Sequence, residues 1–342
     1  MRKLFCICLL VLSLDADAHH SRIQYDTSTI VEMSGEIVAV RWRNPHVMYT
    51  MRVPDSNGGS TDWMLEAGSI YMLGRTGINK NVMQPGETVD IAGYASGDGN
   101  PEFYLTNVRL ADGQEIVMVP SAKAYWSEEA IGGREQWSVA SNASADSAEQ
   151  GLFRVWSLGE IFTNLTGEAT GLPLTAEARA KRDAFDPLTD DPGLDCIKPG
   201  MPRTMTGPHP FQFIDGGDKI TVLIAEFDIQ RTIHLGKKKD AASIVPHKQG
   251  YSHGLWKNGV LEVHTSHVDW PFFDGIGTPL SANAKMVEQF SFSENGLQLD
   301  YEIVITDPST FTMPVTLNET WVDLGEPMEF YDCVPGVMSN TN

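Results

Sequence analysis

Three histidines carry the most suggestive chemistry in this sequence: His19, His20 and His46. What precedes them gives them their interest. Arg2 and Lys3 are followed by an apolar run from Leu4 to Leu14, then by small residues at Ala16 and Ala18. That order is the pattern of a secretory signal peptide with an A-x-A cleavage site. Cleavage after Ala18 makes His19 the first residue of the mature chain. A terminal histidine offers a metal both its α-amine and its ring Nδ1, which close a chelate ring. Imidazole nitrogen suits copper, nickel and zinc, and mixed nitrogen sites favour Cu(II) by intrinsic affinity. His46 is the natural third nitrogen donor, with His20 available as a fourth. A blander reading stands beside this one. Signal peptidase tolerates many residues after the cut, chain termini are mobile unless tied down, and His46 can serve as a turn residue bonded to nearby backbone.

The elements that must position these histidines read as β structure. Residues 37–42 alternate, with Ile37, Ala39 and Arg41 on one face and Val38, Val40 and Trp42 on the other. This is strand chemistry. Asn44-Pro45 breaks the run, because proline cannot donate to a ladder and restrains the residue before it. His46 then opens the next strand. Asp55 to Gly59 is a turn by composition, and Thr61 to Glu66 returns as a third strand. Ser69 is placed to cap a short helix reaching Gly74, and Thr88–Tyr94 and Phe103–Leu110 are further strands. Three strands, a short helix and two strands is the order of a small OB-like barrel, here over residues 19–120.

A signal ending in A-x-A, then His19-His20-Ser21, Gly35 and Asn44-Pro45-His46, resembles a family of exported bacterial proteins of unknown function. The resemblance runs from about Ala18 to Pro120. It implies that the paired histidines at the mature N-terminus are a family trait, and it supplies no activity.

Residues 121–151 read as a linker, because Ser138 to Gln150 is rich in Ser, Ala, Asn and acidic residues and lacks apolar periodicity. From residue 152 to 336 a larger antiparallel meander is expected, a lipocalin-like barrel or a sandwich, with 337–342 as a tail. Thr175 to Ala184 is predicted as a helix, with Glu177 and Lys181 four apart. The proline-rich run from Phe185 to Pro210 is predicted as an irregular belt. Thr221 to Ile229 reads as one strand with Leu223, Ala225, Phe227 and Ile229 on one face. Asn258-Gly259 and Asn295-Gly296 mark two hairpins. Leu299, Tyr301, Ile303 and Ile305 share one face there, and Asp300 and Glu302 the other. The fold class is therefore all-β.

In the second half, His253, Trp256, Trp270, Phe273 and Asp274 stand in irregular stretches that combine aromatics, His and Asp. Loops at a barrel mouth with such residues form a candidate pocket for a small apolar molecule. A plain aromatic cap over the barrel is the competing reading. Cys6 and Cys8 leave with the signal, so Cys196 and Cys333 are expected to form a disulfide in an oxidising compartment.

The net charge of −20 excludes nucleic acid as an expected partner, since phosphate binding needs clustered Lys and Arg. It fits a periplasmic or secreted protein that attracts cations by its field. After the signal no apolar run approaches the ~20 residues of a membrane span. The expected function is metal binding, copper favoured, at the mature N-terminus, with a small apolar ligand in the second half. Two alternatives remain: a copper-dependent redox enzyme using the same histidines, and an envelope structural or interaction module without a ligand.

Overall fold

The computed structural model describes residues 25–43, 46–133, 136, 149–159, 171–186, 189–207, 209–294, 296–325 and 327–328. The chain builds two β units. The first holds β1 (Val31–Arg41), β2 (Met48–Pro54), β3 (Ser60–Glu66), α1 (Ile70–Arg75), β4 (Thr88–Ala95), β5 (Glu102–Arg109), β6 (Glu115–Val117) and β7 (Ile131–Gly132). The sheet order is β3-β2-β1-β4-β5-β6-β7, and an additional β3–β5 pairing closes the five longest strands into a ring. This is the OB-like arrangement expected. The long β1 serves two neighbours, pairing with β2 at one end and β4 at the other. It bends where the register shifts between Ile37 and Ala39, which is how a short sheet turns a corner. A second shift lies between Ala92 and Gly93. There a Cβ on Gly93 would meet Tyr104 O at 2.0 Å, so only glycine lets the strands approach. Ile37, Tyr49, Met51, Leu65, Ile91, Phe103 and Leu105 fill the interior. Ser69 caps α1 through Met72 N at 3.2 Å.

Part of the stretch expected to be a solvated linker belongs to this unit. Glu115, fully buried, accepts from Tyr125 N (2.6 Å), Trp126 N (2.9 Å) and Ser127 N (2.6 Å). Asn107 Nδ2 adds a bond to the same carboxylate at 2.7 Å and another to Lys123 O at 2.9 Å. One carboxylate thus satisfies three successive backbone donors, and β7 then pairs in parallel with β6.

The second unit is a closed nine-stranded barrel in the order β10-β11-β12-β13-β14-β15-β16-β8-β9. Its strands are β8 (Val155–Leu158), β9 (Phe211–Asp215), β10 (Lys219–Ile224), β11 (Ile229–His234), β12 (Tyr251–Lys257), β13 (Val260–Ser266), β14 (Lys285–Phe292), β15 (Gln298–Thr306) and β16 (Val315–Asp323). Of the two expected architectures the barrel is the one formed. All pairings are antiparallel except β11–β12. Between β8 and β9 lie the helices α2 (Ala176–Asp183) and α3 (Arg203–Thr206). Thr175 caps α2, and Lys181 Nζ reaches Glu177 Oε1 at 2.8 Å, as the spacing implied. Aromatic rings occupy the interior: Tyr301 stacks on Trp321 at 4.6 Å, and Phe211 meets Trp321 edge-on at 4.4 Å.

The single strand expected over Thr221 to Ile229 is instead a hairpin. β10 ends at Ile224, and the chain turns through Phe227 (φ 53°) and Asp228 (φ 50°) into β11. The inward face is Ile220, Val222 and Ile224, opposite in phase to the expectation. Alternation continued through the turn in the sequence, because Ala225 and Phe227 are apolar, and this disguised the break.

Candidate functional site

Residues His19 and His20 lie outside the described residues, as do Asn44 and Pro45. His46 is described, and two neighbours fix its ring. Nδ1 lies 3.2 Å from Ala67 O and 3.1 Å from Glu66 Oε1. Both partners are acceptors, so Nδ1 is the nitrogen that donates to them, and of the two neutral tautomers the one they favour has its lone pair on Nε2. Metal-binding histidines show this backing by a carboxylate or carbonyl, which orients the ring and raises its basicity. The side chain is 46% exposed, whereas that of Glu66 is 13% exposed. Strand pairing explains the contact, because β2 and β3 start and end at Met48↔Glu66.

Glu66 also ties down the start of the described chain. Tyr25 donates its hydroxyl to Glu66 Oε2 at 2.9 Å, and its ring packs 5.5 Å from Tyr104. Tyr25 is buried and forms a bridge to Ser96. His19 precedes it by six residues, a tether of at most about 20 Å. The carboxylate beside the His46 ring therefore also holds Tyr25.

A second histidine belongs to the same neighbourhood. His209, just before β9, has Nε2 3.7 Å from Glu226 Oε1. Burial holds its imidazole below the ordinary value; Glu226 opposes that shift, while His46 and Arg203 add to it. Sequence reading missed His209 because a proline-rich belt has no period from which to infer a facing direction.

The five residues expected to line a ligand pocket do not all meet. Trp270, Phe273 and Asp274 lie on the segment after β13. Trp270 is 5% exposed and meets Phe272 edge-on at 5.9 Å, and Phe273 meets Phe311 at 5.0 Å. Trp256 stands toward the opposite end of β12 from Tyr251, which pairs with the last residue of β13, a separation of about 17 Å along the strand. It is 46% exposed. His253 bonds Gly236 O through Nε2 at 2.9 Å. Strand alternation turns it away from its neighbour Ser252, which faces the interior.

Asp274 accepts from Ile276 N (3.1 Å) and Thr278 N (3.0 Å) through Oδ1, while Oδ2 and Thr278 Oγ1 are buried without a well-aligned partner. Burial pushes the carboxyl above its ordinary value, against the pull of Thr278, Ile276 and Arg182. A raised carboxyl stabilises the fold fully below its unfolded pKa and loses that contribution as pH rises through the folded value. Asp274→Asn, neutral throughout and able to donate to the Thr278 hydroxyl, is therefore expected to add about 1 kcal/mol at pH 7. The gain should shrink toward pH 4. Melting temperatures of both proteins across that range check this, and a pH-independent difference would refute it.

The barrel interior holds an unanticipated polar network. Arg231 and Glu288 are both fully buried and form a bidentate ion pair, Nη1 to Oε1 at 2.7 Å and Nη2 to Oε2. Ser252 accepts from Arg231 Nη2 at 3.0 Å, Thr265 donates to Glu288 Oε2 at 3.1 Å, and Tyr301 donates to Glu288 Oε1 at 3.0 Å. Burial, with Glu288 adding, holds the Tyr301 phenol well above its ordinary range, so it stays a donor. The signal was present in the sequence: Arg231 falls between Ile229 and Ile233 in the inward phase of β11.

Among the described residues, no three His, Cys, Asp or Glu side chains converge as a metal site. Cys196 caps a short 3-10 turn in a left-handed conformation and is not a free thiol. Cys333 lies outside the described residues. No helix among the described residues is long and apolar enough to cross a membrane.

The comparison with known families falls on the part of the chain that carries His46. Residues 8–103 match the Family of unknown function (DUF6152). The match takes in Tyr25, His46 and Glu66 and ends within β5, so the barrel lies outside it. No curated protein matches the chain.

Proposed function

We propose that the mature protein is an exported copper-binding protein, with the metal held by the α-amine and ring of His19, by His46, and by His20 as a further donor. One observation carries this reading. One carboxylate, Glu66, backs the His46 ring at Nδ1 and also accepts from Tyr25, which follows His19 by six residues. The charge of −20 supports cation capture from dilute solution. Export also supplies the oxidising compartment in which Cys196 pairs with Cys333, a bridge that would close a loop of well over a hundred residues. Chain-entropy models give such a bridge about 4–5 kcal/mol. Binding without turnover is favoured over redox catalysis. Among the described residues, the aromatic side chains nearest in kind to a substrate platform, Trp270 and Phe273, are committed to packing.

The test uses protein exported by its own signal. Intact mass of the unreduced chain is expected to start at His19 and to be lighter by the two thiol hydrogens of a bridge. One copper per chain should be retained. Inserting a single Ala before His19 separates amine from ring and should weaken Cu(II) binding about a hundredfold, the loss of an intramolecular second donor. Unchanged affinity in that variant, or a chain starting elsewhere, removes the chelate. Two free thiols remove the bridge.

A further inference from the structure

We propose that the loop over residues 235–250 is an acid-released cover on the β11–β12 seam of the barrel, latched while His234 and His247 are neutral. The inference concerns the second unit alone and does not depend on the copper site.

The seam is a weak join. β11 and β12 run parallel and share two register pairs, Ile233↔Ser252 and His234↔His253, whereas β12 and β13 stay paired along their whole lengths. One of those two pairs sets histidine beside histidine, and His264 of β13 stands opposite His253. Three imidazole-bearing positions therefore lie in one row, about 5 Å from strand to strand. Ser252, the neighbour of His253, bonds Arg231 in the interior, so the row faces outward, toward the loop that joins β11 to β12.

The loop closes over this row. His253 Nε2 donates to Gly236 O at 2.9 Å. The His234 ring stacks on Tyr251 at 5.1 Å, and the Tyr251 hydroxyl accepts from Lys239 N at 3.0 Å. Near the far end of the loop, His247 Nδ1 accepts from Gln249 N at 3.2 Å. That turn also holds the proline-rich belt, with Met201 N donating to Lys248 O (3.0 Å) and Gln249 Nε2 to Pro199 O (2.7 Å).

Protonation works against two of these latches. A cationic imidazole is a donor at both nitrogens, so His247 cannot be charged and still accept from Gln249 N. Burial holds both His247 and His234 below the ordinary histidine value. At His234, Lys239, His253 and Lys219 add to that shift and Asp218 opposes it. His267 and Asp269 adjoin His247 on the segment after β13, through backbone bonds of 3.3 and 2.9 Å. The Lys248 ammonium lies over the Trp270 ring. His264, at the rim of the row, is engaged by Glu262 Oε1 at 2.8 Å, an oxygen that Lys257 shares. A histidine held low contributes stability in full above its unfolded pKa, about 6.5, and loses it as pH falls below that value. The loop's own charge favours release, since Lys237, Lys238 and Lys239 face only Asp240 along the chain, all four exposed.

The experiment is amide hydrogen exchange of the exported chain at about pH 7.5 and about pH 5.5, corrected for the intrinsic pH dependence of exchange. Protection at Lys239, Gln249, Gly250 and Met201 is expected to fall about tenfold at the lower pH, the factor for one histidine that protonates only in the released state. The amides of β14, β15 and β16 should keep theirs. His247→Asn retains an acceptor for Gln249 N at every pH, and His234→Phe retains a ring against Tyr251. The double variant should show the same protection at both pH values, and each single variant should remove part of the fall. Equal parental protection at the two pH values overturns the proposal. A fall shared by the whole barrel, which is global acid unfolding, overturns it too. So does a double variant that loses protection as the parent does or, should that variant misfold, two single variants that both fall as far as the parent.

Discussion

Arg231→Met is expected to destabilise the barrel by about 3–5 kcal/mol at neutral pH, the cost of leaving one member of a buried ion pair without its partner. Arg231 and Glu288 are both fully buried, and no water-exposed surface is available to either side chain. Removing the guanidinium strands the carboxylate among aromatic rings with only Thr265 and Tyr301 as donors. The pair itself need not be a net source of stability, because desolvation offsets much of its attraction. The double variant Arg231→Met/Glu288→Leu should therefore recover most of the loss. A residual deficit of about 1–2 kcal/mol is expected, since Ser252, Thr265 and Tyr301 lose their charged partner. Equilibrium denaturation of the three proteins measures all of this. A single variant costing less than about 1 kcal/mol would show that the network is dispensable.

The second large effect is at Glu115. Glu115→Gln keeps the shape but turns one acceptor oxygen into a donor facing backbone N–H groups and the Asn107 amide. Hydrogen bonds to a charged acceptor contribute about 1.5–3 kcal/mol each, and a stranded buried donor costs about 1–3 kcal/mol. A loss of about 3 kcal/mol is expected, concentrated in the segment 123–133. Amide hydrogen exchange should rise at Tyr125, Trp126 and Ser127 while the amides of β1, β2 and β4 keep their protection. A uniform rise across the sheet would mean that the clasp supports the whole unit.

Much of this architecture was legible from alternation and turn chemistry. The OB-like order followed from apolar alternation in β1 and from the breaks at Asn44-Pro45 and Asp55–Gly59. The inward face of β15 was read correctly, since every second residue from Leu299 to Ile305 is apolar. Where the reading failed, local pattern was ambiguous or silent. Ala225 and Phe227 kept the period of β10 running through a turn, and no local rule announces two successive left-handed residues. Trp256 was grouped with Trp270 by composition, although a strand's length separates them. Contacts such as His46–Glu66 and Glu115–Trp126 depend on which strands and loops end up adjacent, which a single sequence states only indirectly. Arg231 and Glu288 sat in the inward phase of strands whose neighbours are Ile and Phe; treating every charge as solvent-facing hid them.

The barrel is closed by β8, which pairs with β16 on one side and β9 on the other. The first strand of this half to leave a ribosome or an export channel must therefore wait for the last one before its second edge is covered. A chain interrupted between Thr306 and Val315 exposes two open strand edges at once, on β8 and on β15, and such edges invite pairing between molecules. Vulnerability during biogenesis, and with it any need for an escort, is thus concentrated in the interval between the emergence of Val155 and that of Val322.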